Sequence, residues 1–472
     1  MQFVSLSFLL LLPLAAIINF IIPRKFRYIW LLVISVAFYL SVDLKATAVM
    51  AGTVVVTYIS ALLMEKVSGD GSKKKSPGAM AILAVSVIIE IAAMLVFRSG
   101  KIMGAIGISF YMLKSVGYLV DVYRGDLKAE HNFCKLALFV SFFTQVISGP
   151  IERAGNMLPQ FSYPVTVDFD RMRDGFLQIL WGYFLKLVIA DRLAIFVNTV
   201  YDAPALIDGS IVAIATLFYT FEIYCDFAGY SAIAIGVSRI LGIDVMKNFD
   251  SPYMAKSIAE FWRRWHISLS TWLRDYVYIP LGGNRKGTVR KYLNILIVFA
   301  VSGIWHGSAL TFLVWGILHA VYQIIGFVTM PLRDKVVEIL KIDRGGLSHR
   351  TVKTLVTFLL VNFAWIFFRA ANLEHAVTII KKSFEFTPWV FTDGSLFNLG
   401  LSQASFNVGV AGIALLITMD ILSFNGVEIR DRIIKQAIWY RWIIMIAAIL
   451  SILIFGIWGA GYNASSFIYQ QF

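Results

Sequence analysis

Apolar residues run along this chain in long blocks separated by short polar interruptions. A helix needs about 20 mostly apolar residues to cross a bilayer. Blocks of that kind fall at 3–22, 28–43, 46–64, 78–97, 103–120, 133–150, 176–200, 210–240, 292–306, 309–330, 352–369, 405–423 and 438–460. They predict an all-α polytopic membrane protein with about 11–13 crossings, some of the blocks being re-entrant or interfacial. The run EKVSGDGSKKKSP at 65–77 predicts the clearest loop, with Gly, Ser, Lys and Pro and no apolar period. A polar interlude at 152–175 follows a Gly-Pro break at 149–150 and reads as membrane-surface sequence. Residues 244–290 form the longest stretch without a clean span, and 331–351 and 371–404 predict further charged loops. No internal repeat is visible, so 1–472 reads as one membrane domain.

Composition supports this class. The 472 residues are 58% hydrophobic and 15% charged, with a mean hydropathy of +0.74, whereas a soluble domain is about 25% charged. The net charge of +13 fits basic cytoplasmic loops. Arg24, Lys25 and Arg27 mark one such loop and Lys66, Lys73, Lys74 and Lys75 another, two crossings on, which places the N-terminus outside. No basic arm points to nucleic acid. Residues 3–22 lack a leading basic region and a small-residue cleavage site, so they read as a retained helix. Cys134 and Cys225 are the only cysteines and sit in apolar surroundings, which argues against disulfides and cysteine metal sites. No H-E-x-x-H or similar spacing occurs, and no metal is expected.

Against this background His306 stands out. The run VFAVSGIWHGSALTFLVWGILHA at 298–320 contains no Asp, Glu, Lys or Arg. An ionisable group at membrane depth is costly and points to function. A neutral imidazole can take a proton at working pH, and Gly303 and Gly307 leave room for a ligand or another backbone. The bland alternative is a histidine bonded to a neighbouring helix. His319, 13 residues on, falls about 220° away on a straight helix and reads as structural. His131, His349 and His375 lie in polar segments and read as solvated.

His266 lies in FWRRWHISLSTWLRDYVYIPLGGNR at 261–285. As a continuous helix this run would put Trp262, His266 and Ser270 on one face. Arg263, Arg264 and Arg274 offer guanidinium forks that suit phosphate. The same composition also describes an interfacial helix with snorkelling arginines. LGGNRKG at 281–287 lacks a phosphate-loop spacing and reads as a turn. Glu222 and Asp226, four apart in an apolar run, share a helix face. They can line a polar tunnel, orient a histidine, pair with an arginine or simply pair as structural carboxylates. Glu90, Asp121 and Asp191 sit near span ends.

These segments resemble the membrane-bound O-acyltransferase (MBOAT) superfamily, and most closely its bacterial alginate O-acetyltransferase-like branch. The resemblance is carried by GISFYMLKSVGYLVDVYRG (107–125), SFFTQVISGPIERAGNMLPQF (141–161), IYCDFAGYSAIAIGVSRILGI (223–243), the 261–285 run, SGIWHG (302–307), WIFFRAANL (365–373) and FIYQQF (467–472). It implies a ring of membrane helices around a central tunnel, with a catalytic core over about 107–330. It implies that His306 is the catalytic histidine and that His266 fills a second characteristic position, occupied in the family by His or Asn. Trp262, Arg263, Arg264, Trp265, Ser268, Arg274, Asp275 and Trp305 would bind the donor or line the tunnel, with Glu222 and Asp226 in support. Residues 78–102 and 390–404 depart from the family pattern.

The resemblance implies an O-acetyltransferase in the bacterial inner membrane. It would move acetyl from a cytoplasmic thioester, acetyl-CoA in the first instance and no tightly bound cofactor, toward an exported polysaccharide. Delivery would be direct or through a periplasmic partner protein. Transfer of D-alanyl from an acyl carrier protein to teichoic acid is the alternative in the same class. A proton-coupled transporter or flippase would call for repeats and matched broken helices, and a non-catalytic scaffold would need neither histidine.

Overall fold

The computed structural model describes residues 3–69, 76–98, 107–147, 149–162 and 166–458. FIYQQF at 467–472, Lys73, Lys74 and Lys75 lie outside the described residues. No strand occurs among the described residues, and the helices gather into two compact units.

The first unit runs to Tyr183 and includes 230–247. It contains α1 (Leu6–Ile21), α2 (Arg27–Leu40), α3 (Leu44–Ser68), α4 (Pro77–Arg98), α5 (Ile108–Arg124), α6 (Phe133–Ser141), α7 (Phe143–Val146), α8 (Ala154–Gln160) and α9 (Phe169–Tyr183). Local signals set its boundaries. The Asp43 carboxylate accepts from the Lys45 and Ala46 N–H groups and starts α3. Glycines 107 and 125, both with left-handed backbone, bracket α5. Glu90, buried on α4, accepts from the Thr57 hydroxyl at 3.0 Å. Lys114 on α5 donates to Gln145 on α7 at 2.5 Å.

The second unit comprises Phe184–Gly229 and the chain from Asn248 onward. A π-helical run at Phe184–Ala190 leads into α10 (Asp191–Asp202). Next come α11 (Gly209–Ile240), whose end from Tyr230 belongs to the first unit, then α12 (Ile258–Arg264), α13 (Ile267–Leu273) and α14 (Thr288–His306). They are followed by α15 (Leu310–Val328), α16 (Met330–Ile339), α17 (Leu347–Arg369), α18 (Leu373–Ser383), α19 (Gln403–Phe424), α20 (Ile429–Ile434) and α21 (Ile438–Phe455).

Among the described residues eight helices are long and apolar enough to cross a membrane: α3, α4, α11, α14, α15, α17, α19 and α21. Fewer qualify than the about 11–13 crossings that the apolar blocks predict, because several blocks are short or interrupted. The block at 133–150 breaks at Phe142 into α6 and α7. The block at 176–200 carries Lys186, Asp191 and Arg192 and is divided by the π-helical run. The stretch 331–351, expected as a loop, is helical over most of its first half, as α16. None of the α16 residues is buried.

Candidate active site

The run 261–285 does not form one continuous helix. Ser257 caps α12 by accepting from Glu260 N–H at 3.1 Å, while a Glu260 oxygen accepts from Lys256 N–H at 3.0 Å. The helix stops at Arg264, Trp265 is extended, and His266 has φ 44° before α13 begins at Ile267. Asn248 fixes this break. Its carbonyl accepts from Ile267 N–H at 2.9 Å, and its side-chain oxygen accepts from Ser268 N–H at 3.3 Å and the Ser268 hydroxyl at 2.8 Å. Trp262, His266 and Ser270 therefore do not share a face.

The same Asn248 oxygen lies 3.1 Å from His266 Nδ1. Because a backbone N–H also donates to it, that atom is an acceptor, and Nδ1 must donate. The proton of neutral His266 thus sits on Nδ1 and the lone pair on Nε2. Burial pushes this imidazole down to about 3, so it stays neutral through the physiological range. Phe227 of α11 meets its ring edge-on at 4.6 Å.

His306 is the last residue of α14, and Gly307 beyond it is extended. The chain reverses within three residues and α15 packs back along α14. Glycines make this approach possible: a Cβ at Gly303 would meet the Phe312 carbonyl, and one at Gly316 the Phe299 carbonyl. The space beside Gly303 is thus taken by backbone, and that beside Gly307 by the Phe312 ring. His306 is buried among the rings of Trp305 at 4.7 Å, Trp315 at 5.0 Å and Phe368 at 5.2 Å. Trp305 also lies 6.1 Å from His266. One indole thus touches both imidazoles, which sequence separation alone did not require.

His319 lies on α15, not on the helix of His306, so the straight-helix angle between them does not apply. Trp315 packs against both rings, at 5.0 Å and 5.2 Å. The Trp262 indole donates to His319 Nδ1 at 3.2 Å. Trp265 is buried and stacks on Phe261 at 5.5 Å. Arg264 is held by Glu260 at 3.1 Å and by Asp250 at 3.0 Å. Arg263 and Arg274 are exposed, and Arg274 pairs with Asp275 at 2.8 Å.

Glu222 and Asp226 are both buried on α11. Asp226 meets a lysine rather than an arginine: Lys186 lies 2.6 Å from Asp226 and 2.7 Å from Asp191. Lys186 and Asn248 were missed from the sequence. A lone lysine inside the block 176–200 is a usable signal, whereas nothing local marks Asn248.

The alignments reach across this whole arrangement. The model of the MBOAT, membrane-bound O-acyltransferase family matches residues 122–337. The probable alginate O-acetylase AlgI of Pseudomonas fluorescens is 36% identical over 88% of this chain and 82% of its own length. The chain belongs to the membrane-bound O-acyltransferase family. A second MBOAT relative, the peptidoglycan O-acetyltransferase of Helicobacter pylori, is 31% identical over 75% of this chain and 73% of its own. A third, the teichoic acid D-alanyltransferase of Bacillus subtilis, is 32% identical but over only 46% of this chain and 57% of its own. This MBOAT protein is a multi-pass membrane O-acyltransferase.

Proposed function

We propose that the chain transfers acetyl from a cytoplasmic thioester, acetyl-CoA, toward an exported polysaccharide, with His306 as general base. The observation that carries this reading is the pair of buried imidazoles joined through Trp305. His306 removes the proton of the acceptor hydroxyl as its oxygen attacks the thioester carbonyl carbon. The C–O bond forms and the carbonyl pair moves onto oxygen. Collapse then breaks the C–S bond, and the departing thiolate recovers the proton. His266, neutral with its lone pair on Nε2, assists by hydrogen bonding. Arg263 and Arg274, exposed on the same segment, meet the phosphates of the donor, and the Trp265 and Ser268 region borders its path.

The acceptor hydroxyl belongs either to the polymer or to a periplasmic acetyl-carrying partner, and the membrane is the bacterial inner membrane. The alginate relatives support acetyl because they align over most of the chain. D-alanyl transfer from a carrier protein is the second reading, supported by relatives that align over about half of it. Purified protein in lipid nanodiscs, offered acetyl-CoA or a D-alanyl carrier protein, separates the two. His306→Ala should abolish acetyl transfer while melting like the wild type, and full activity in that variant would refute the assignment.

A further inference from the structure

His319 occupies an aromatic box that has no need of an imidazole for packing. It is fully buried, with Phe261 and Phe299 nearly parallel to its ring at 6.1 Å and 6.2 Å and Trp262 and Trp315 edge-on at 5.1 Å and 5.2 Å. An indole nitrogen only donates, so the Trp262 bond to Nδ1 fixes the lone pair there. The ring hydrogen therefore sits on Nε2, and that nitrogen has no hydrogen-bond partner among the described residues. A buried donor without an acceptor costs stability, and phenylalanines at 319 and 262 together would fill the same box without that cost and without leaving the indole N–H unpaired. The sequence keeps a group that packing alone would disfavour.

We propose that His319 is a positioning residue for acyl transfer: its bond to Trp262 ties α12 to α15 and thereby holds Trp315 against His306. The path is short. Trp262 lies 5.7 Å from Trp315, and Trp315 lies 5.0 Å from His306. Errors of an ångström in such placement cost turnover far more than binding. The inference rests on the reading of His306 as the base.

The test uses the full chain in lipid nanodiscs with acetyl-CoA as donor. Trp262→Phe/His319→Phe removes both halves of the bond and leaves neither unpaired. It should melt at or above the wild-type temperature yet lose about 10- to 100-fold in kcat, with KM for acetyl-CoA changed by less than about two-fold. His319→Asn, whose amide oxygen takes the place of Nδ1, should recover most of the kcat when Trp262 is present and none of it in a Trp262→Phe background. Wild-type kcat in the double variant would overturn the proposal. So would a double variant that cannot fold, or losses that track melting temperature, because the pair would then be a structural requirement. Undiminished turnover by His306→Ala in the same assay would instead refute the base assignment, whatever the His319 variants do.

Discussion

Lys186 and Asp226 meet at 2.6 Å with side chains that are 1% and 2% exposed. The ammonium is shared with Asp191 at 2.7 Å, so one buried cation serves two carboxylates from different helices. The bond matters for the site because Asp226 directly precedes Phe227, the residue that meets the His266 ring.

Removing one member of such a cluster leaves uncompensated buried charge. Lys186→Met should therefore destabilise the protein by about 3–5 kcal/mol. The triple variant Lys186→Met/Asp191→Asn/Asp226→Asn should lie much nearer the wild type. Denaturation in detergent micelles measures both, and equal losses would rule out an ionic origin.

His266 also gives stability a pH dependence. Unfolded, its imidazole takes a proton below the ordinary value of 6.5, whereas the folded ring resists protonation down to about 3. Between those limits the unfolded state binds more protons, so stability should fall as the medium is acidified, by about 1.4 kcal/mol per pH unit from this residue. Melting curves from pH 7 to pH 5 should show the slope, and His266→Asn should reduce it. An unchanged slope in that variant would assign the effect elsewhere.

Gly303 and Gly316 set the distance between α14 and α15. Gly316→Val should push the helices apart at Phe299 and disturb His306 through Trp315, lowering the melting temperature and turnover together. Gly326, where an added Cβ meets nothing within 4 Å, supplies the control: Gly326→Ala should leave both unchanged.

Much of the architecture was legible in the sequence because membrane spans depend on local composition. The blocks at 210–240, 309–330 and 405–423 each match a helix within a few residues. His306 was legible for a related reason, since a titratable group in such a block is conspicuous. The break at Trp265 and His266 was not. The residues around it suit a helix, and the interruption is imposed by Asn248, 18 positions upstream. The relation of His306 to His319 was hidden by the tight reversal at 307–309, which brings both rings against Trp315. Lys186 is an unread signal, a lysine inside an apolar block, and its two partners are set by packing.

The left-handed backbone at His266 bears on which residues this position admits. Outside glycine, positive φ falls disproportionately to Asn, Asp and His. Of these, Asp would bring a carboxylate into a fully buried site beside the Asn248 oxygen, leaving His and Asn. Those are the two residues that the family resemblance assigns to this position. A choice between His and Asn at this position is thus a property of the chain's path before it is a property of the reaction: conformation supplies a short list of side chains, and chemistry selects from it.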